Sequence, residues 1–355
     1  MKVPIYLNKS NPIGYFYLMI LVTGGTGLVG SHLLYQLAKS GENIRASYRK
    51  KDSINKVEEV FGYYTDTPST LLQRITWVKA DISDISSLIP LFEGIELVYH
   101  CAALISFSPK DYTALVQANV EGTANIVNLS LEHQVKKLCY VSSIAAIGPS
   151  SKGKVTTEEN EWKDTNVSVY GLTKHEAELE VWRGSQEGLQ VVVVNPGVIL
   201  GPGFWHTGSG TFFKYASKEK KSYFPGGTGF VSIHDVVGAM VKLMKSNISR
   251  EQFILVNENL TYKELFQKMA SELQVSAPSK PIPFWLLEIA WRTDWLKSNL
   301  LGKRRKLTKN MVKGLYYQET YSNKKIKDAI DFEFEDLDKA IKFCCSILTN
   351  RTLSS

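Results

Sequence analysis

Cysteine is scarce in this chain. It has four in 355 residues, none at C-x-x-C or zinc-ligand spacing. A disulfide scaffold, a structural zinc site and a thiol-redox motif are therefore excluded, and no metal is expected. Cys101 and Cys139 stand in apolar strand contexts, so buried thiols in a reducing compartment, the cytoplasm, are expected. Internal repeats and low-complexity linkers are also missing. The longest aromatic-apolar stretch, from Pro283 to Arg292, is too short and too interrupted by charge to span a bilayer. Lys2 and Lys9 ahead of the apolar run from Pro12 to Val22 imitate a secretory leader. Cleavage after that run would remove the first strand, so residues 1–17 are expected to form a loose extension, with Met19 as an alternative start.

Acidic residues are absent from Trp295 to Gln318, where Lys297, Lys303, Arg304, Arg305, Lys306, Lys309 and Lys313 lie. These are seven of the 42 basic residues, and the other 35 balance the 35 acids, so the net charge of +7 is one local patch. No stacking platform or nucleic-acid motif accompanies it, which argues against nucleic acid as a partner. The plain reading is a helix packed on the core with a solvated basic face. The alternative is weak peripheral contact with an anionic membrane through 284–313.

What the chain does have is a glycine turn in a telling place. Thr23-Gly24-Gly25-Thr26-Gly27-Leu28-Val29-Gly30 follows the apolar run Leu18–Val22 and opens the helical pattern His32–Ala38. Strand, glycine turn and helix in that order form a dinucleotide site. Gly24 makes the tight turn, Gly27 lets the backbone approach a pyrophosphate, and Gly30 lets the helix pack close to the strand. The helix N-terminus offers unpaired N–H groups to the phosphates. Strand and helix patterns alternate from Met19 to about Gly201, as a doubly wound parallel α/β sheet requires. Candidate strands are 18–22, 43–48, 75–79, 96–101, 137–142, 190–195 and a returning 252–256. Thr261-Tyr262-Lys263-Glu264 is a capping box for a helix through Leu273.

A second constellation adds chemistry. Tyr170 and Lys174 are four residues apart, so both reach one side of a helix. Ser143 follows the apolar strand Leu138–Val141, and parallel strands end at the cofactor crevice. Together these residues resemble the extended short-chain dehydrogenase/reductase family (epimerase/dehydratase type), in its dihydroflavonol-reductase-like branch. The resemblance runs from about Met19 to about Lys342. Further similar segments are Val78–Ile82, Tyr99–Ala103, Asn119–Thr123, Asn195–Gly203 and Phe230–Val237. One departure is Asn195, where many members, including many sugar-nucleotide enzymes, carry Arg.

The resemblance implies a Rossmann sheet over 18–201 plus 231–257 and a smaller mixed α/β substrate-binding domain over 202–230 plus 258–350. It implies cofactor contacts from Gly24, Thr26, Gly27, Leu28, Val29 and Gly30 in the first turn, Asp81 and Ile82 after the third strand, Cys101, Ala102 and Ala103 after the fourth, and Pro196 and Val198 after the sixth. It also implies that Tyr170 is the acid/base, that Lys174 lowers the phenol's pKa and holds the nicotinamide ribose, and that Ser143 polarises the substrate oxygen. Asn119 is implied as support for a proton-relay water. Family members are monomers or homodimers.

The second strand ends Ser47-Tyr48-Arg49-Lys50-Lys51, with no acid to hold a ribose 2′-OH. Arg49 can pair with a 2′-phosphate, and Lys56 matches a family phosphate contact, so NADP(H) is expected, with NAD(H) as runner-up. The expected reaction is hydride transfer between nicotinamide and a ketone, aldehyde or alcohol of a small lipophilic or aromatic molecule. Phe107, Phe204, Trp205 and Phe212 are candidate substrate contacts, with core packing an equal alternative. Competing readings are a sugar-nucleotide epimerase or dehydratase, a steroid-type hydroxy dehydrogenase/isomerase, and a nucleotide-sensing module. The last is disfavoured because Ser143, Tyr170 and Lys174 are all kept.

Overall fold

The computed structural model describes residues 18–148, 150, 154–163, 167–301, 305 and 307–353. The expected extension over 1–17, and Lys303, Arg304 and Lys306 of the basic run, lie outside the described residues.

Six strands, β1 (Met19–Thr23), β2 (Asn43–Tyr48), β3 (Ile75–Lys79), β4 (Leu97–His100), β5 (Lys137–Val141) and β6 (Gln190–Pro196), lead through β7 (Val198–Leu200), β8 (Ser222–Tyr223) and β9 (Gly227–Ser232) to β10 (Glu251–Leu255). The main sheet has the order β10-β6-β5-β4-β1-β2-β3, and every pairing in it is parallel. The strand order reverses between β1 and β4, which is the switch point where open α/β sheets form their ligand crevice.

Helices cover both faces, which explains why the strands read as continuous apolar runs rather than as alternations. Along β1, β5 and β6 successive residues point to opposite cores. Ile20, Val22, Cys139, Val141, Val192 and Val194 join one cluster, which holds α1 (Leu28–Lys39) and α2 (Ser53–Phe61). Leu21, Leu138, Tyr140, Val191 and Val193 join the other. That second face is packed by α4 (Ile85–Phe92), α6 (Gly122–Glu132) and α7 (Val169–Gln186), the short α3 (Pro68–Leu72) and α5 (Tyr112–Leu115) intervening in sequence.

A smaller three-stranded sheet has the order β11-β9-β7, with β11 (Glu258–Thr261) antiparallel to β9. It packs with α8 (Gly210–Ala216), α10 (Tyr262–Leu273) and α14 (Leu337–Leu353) in a third apolar cluster, while α9 (Ile233–Lys245) returns to the first. The Thr261–Glu264 capping box is present as expected. Cys344 and Cys345 are buried in the third cluster, and all four cysteines are free. The remaining elements are β12 (Lys280–Pro281), α11 (Phe284–Leu301), α12 (Lys309–Tyr316) and α13 (Lys324–Ile330).

The glycine turn locks β1 to α1. Gly24 has φ +67°, and a Cβ there would meet the Ala102 nitrogen at 2.5 Å. A Cβ on Gly30 would meet the Gly24 carbonyl oxygen at 2.2 Å. Both are clashes with backbone, which a rotamer change cannot relieve. Gly30→Ala is therefore expected to cost about 3 kcal/mol or more. Gly41→Ala, at φ +78° with nothing within 4 Å, should cost only the left-handed strain of roughly 1 kcal/mol. Urea unfolding of the two variants checks this contrast, and equal losses would contradict it.

Candidate active site

The crevice is built at the carboxyl ends of β1, β4 and β5. Parallel register aligns Thr23 with His100, and His100 with Tyr140. Aligned side chains share a sheet face, so three polar groups form a row beneath the crevice. Thr23 Oγ1 lies 2.6 Å from His100 Nδ1, and His100 Nε2 lies 3.0 Å from Thr123 Oγ1 on α6. The His100 ring stacks on Tyr140 at 5.4 Å. Burial, with the Lys174 charge beside it, pulls the imidazole down to about 3, so it is neutral at pH 7.

Ser168 caps α7 by accepting a hydrogen bond from the Gly171 amide. That helix carries Tyr170 and Lys174 inward on one face, as their spacing predicts, and Glu178 one turn further on. Lys174 is 1% exposed. Its ammonium donates to Tyr140 Oη at 2.6 Å and to the Val141 carbonyl at 2.8 Å, and lies 4.2 Å from the Tyr140 ring centre. Burial pulls it down to about 7, against the attraction of Glu178. Burial likewise pushes Glu178 up to about 7, opposed by hydrogen bonds and by Lys174. Glu178 Oε1 accepts from Asn195 Nδ2 at 2.6 Å, and the same amide donates to the Ser143 carbonyl at 3.1 Å. Asn195 is thus a fully buried brace behind Ser143.

Tyr170 is pushed up to about 12 by burial, with a hydrogen bond from Ser143 pulling the other way. The expectation that Lys174 lowers this phenol is not met in the arrangement seen here, because the ammonium is spent on Tyr140 and the Val141 carbonyl. Ser143 Oγ also accepts from the Ala145 amide at 3.1 Å. Phe107 meets the Tyr170 ring edge-on, centroids 5.6 Å apart, and is itself exposed.

Asn119 sits in a π-helical turn, Val116–Glu121, a feature often found at functional sites. Its amide oxygen accepts from the Leu104 nitrogen at 2.7 Å. Its Nδ2 donates to the Leu104 carbonyl and to Thr173 Oγ1. Both amide protons are used, and the side chain clamps the Leu104 backbone to Thr173 of α7.

The glycine turn suits a diphosphate. A Cβ on Gly27 would touch only the Gly24 carbonyl oxygen, at 3.4 Å, so its outer side is open, unlike Gly24 and Gly30. Thr26, Leu28 and Val29 are half-buried there, and the first amides of α1 have no intrahelical acceptor. Arg49 is exposed at the end of β2. Burial raises the Asp81 carboxyl, but hydrogen bonds from Ser83 and the Arg49 charge outweigh it and hold the group below its ordinary value. Ile82 packs where a Gly122 side chain would stand. Burial pushes the Cys101 thiol up to about 12, so it is not a nucleophile. Ala102 backs onto Gly24, Ala103 is exposed, Pro196 ends β6 and Val198 starts β7.

Other expected residues lie apart. Lys56 is paired with Glu59 at 2.8 Å and rests 5.6 Å from the half-buried Phe204 ring, so its charge is already balanced. Trp205 is 2% exposed and packs edge-on against Phe213 in the third core. Phe212 packs on Tyr262 and Phe266. Both are packing residues, the alternative that composition left open. The sequence reading missed His100, Tyr140 and Glu178. Only Glu178 carried a local signal, being four residues beyond Lys174.

This fold and crevice define a dinucleotide-binding α/β protein. The model of the NAD dependent epimerase/dehydratase family matches residues 20–256. The chain belongs to that family, the extended short-chain dehydrogenase/reductases, in the dihydroflavonol-reductase-like branch. It is 28% identical over 280 residues to a Synechocystis protein named for dihydroflavonol 4-reductase, covering 76% of this chain and 77% of the relative. Sterol demethylase protein B of Methylococcus capsulatus is 26% identical, covering 80% and 84%. Cinnamoyl-CoA reductase 2 of Medicago truncatula is 26% identical, covering 79% and 82%. The crystal structure of gox2253 superposes with TM-score 0.76 at 26% identity, covering 94% of this chain and 98% of that one. UDP-glucose 4-epimerase of Thermotoga maritima, at 19% identity and TM-score 0.74, shares the fold. The protein is accordingly an NAD(P)-dependent oxidoreductase with a nicotinamide cofactor.

Burial of a neutral His100, and of His32 at about 3, has a thermodynamic consequence. Their folded values lie below the unfolded one of about 6.5, so their contribution is complete above that pH and is lost as pH falls from 6.5 towards 3. Each should cost roughly 2 kcal/mol at pH 5 relative to neutral pH. His100→Asn should be less stable at neutral pH but lose less on acidification. Urea midpoints at the two pH values check this, and equal pH dependence in both proteins would contradict it.

Proposed function

We propose that the protein is an NADP(H)-dependent reductase of a small lipophilic or aromatic ketone or aldehyde, working in reverse as an alcohol dehydrogenase. The observation that carries this is the convergence of Ser143, Tyr170 and Phe107. The half-buried Ser143 hydroxyl beyond β5 is hydrogen-bonded to the buried Tyr170 phenol of α7, and the exposed apolar ring of Phe107 stands edge-on to that phenol. The names of the relatives, among them cinnamoyl-CoA and tetraketide α-pyrone reductases, support reduction of a carbonyl.

In this reading the glycine turn and the α1 amides hold the diphosphate, Arg49 the 2′-phosphate, Asp81 and Ile82 flank the adenine, and residues 101–103, Pro196 and Val198 line the nicotinamide end. The nicotinamide supplies or accepts the hydride. The Ser143 hydroxyl holds the substrate oxygen and steadies the charge that builds there. Tyr170 gives that oxygen its proton as hydride reaches carbon. A phenol held near 12 carries its proton at neutral pH, as a proton donor must. Lys174 offers the cofactor ribose the third N–H that Tyr140 and the Val141 carbonyl leave over. Asn119 keeps the Cys101–Leu104 loop in place. Residues 202–230 and 258–350 form the substrate side, with Phe107 at its mouth.

Tyr170→Phe should lower turnover by about 100-fold or more with NADPH affinity nearly unchanged. Retained turnover would remove the phenol from the mechanism. Arg49→Ala should weaken NADPH binding about tenfold, or ~1.4 kcal/mol, and leave NADH nearly unaffected. Fluorescence titration reads both cofactors. Protein that retains nucleotide through purification and shows no net NADPH oxidation would favour an epimerase.

A further inference from the structure

Helix α11 turns most of its apolar side chains outward. Of its 18 residues, only Leu287 and Ser298 are buried. Trp285, Ile289, Leu296 and Leu300 are 62%, 50%, 49% and 73% exposed. Their spacing of four, seven and four places them on one helical stripe, with Leu286 beside it. A helix whose apolar side were built for this protein's core would show the opposite pattern.

Charge says what covers the stripe. Lys297, exposed, stands beside it, while Arg292 lies on the stripe itself and is paired with Glu288. The acids of the helix are engaged locally, Glu288 with Arg292 and Asp294 with the Leu307 amide. From Trp295 to Gln318 the chain holds seven basic residues and no acid. Among those described, Lys309 is exposed and Arg305 partly so. No described helix is long and apolar enough to cross a membrane. An outward apolar stripe with tryptophan, next to a basic segment and unable to cross a bilayer, suits a helix lying on an anionic lipid surface.

The buried side of α11, opposite the stripe, meets the loop beside the site. Lys110 Nζ donates to the Ser298 carbonyl at 2.9 Å, joining α11 to the loop that carries Phe107. Asn310 Nδ2 donates to the Val167 carbonyl, two residues before α7 begins. Ile105 and Tyr112 on the same loop are exposed as well.

We propose that the outward face of α11 docks on an anionic bilayer, turning the mouth beside Phe107 and Tyr170 toward the lipid. Resting on the reductase reading above, this names the substrate class: a carbonyl compound that partitions into the membrane and enters from it. The docking itself does not depend on that reading.

Flotation of the full chain with vesicles tests it. Wild type should float with phosphatidylcholine vesicles containing phosphatidylglycerol and not with phosphatidylcholine alone, and the binding should weaken as salt rises. Leu296→Glu with Leu300→Glu, both exposed, should lower partitioning about tenfold or more while melting temperature and NADPH binding stay unchanged. No flotation of wild type, or equal flotation of the variant, would overturn the proposal. So would a dimer, seen by sedimentation velocity, that the same substitutions break without any vesicle binding, since the face would then belong to a second copy. Unchanged NADPH binding in the variant separates failure of docking from failure of the redox reading.

Discussion

A buried ammonium must be hydrogen-bonded or lose its charge, and the site is arranged around that requirement. Lys174 leaves water completely and takes its partners from β5, the Tyr140 hydroxyl and the Val141 carbonyl. Tyr140 can accept because it lies flat against a neutral His100, which in turn is fixed between Thr23 and Thr123. Three strands and two helices thereby converge on one polar row. Each member restricts the next, which makes the crevice floor rigid before any ligand is considered.

Ser143 is held from the opposite side. Glu178 engages Asn195, and Asn195 engages the Ser143 carbonyl. Arginine at position 195 would bring a charge into this enclosed space. Here the position serves as a strut. The short amide braces the serine loop through the Ser143 carbonyl.

The two ends of the chain's chemistry obey different physics. At the glycine turn, backbone presses on backbone, so substitution meets hard repulsion and the conformation is single-valued. Around α11 the constraints are weak, with two buried side chains in 18 residues, and solvent or a partner surface decides its energetics.

Most of the sheet was legible in the sequence because its strands are buried on both faces. Such strands show as uninterrupted apolar runs, and the expected and observed strands differ by a residue at their ends. Gly24 and Gly30 were legible because only glycine fits those contacts, Gly27 by its spacing between them, and Tyr170 with Lys174 because helical spacing places them together. His100 and Tyr140 were not, since nothing local says that positions 40 apart become neighbours; parallel register does. Nor could composition tell that Trp205 and Phe212 pack inward while Trp285 and Leu300 point out. By itself the sequence determined the alternation of elements, the glycine turn and the shared helix face of Tyr170 and Lys174, all of which depend on neighbours within a few residues. Tertiary structure alone decided where Lys174 spends its protons, what braces Ser143 and which aromatics meet solvent, because burial and hydrogen-bond partners arise only when distant segments close on one another.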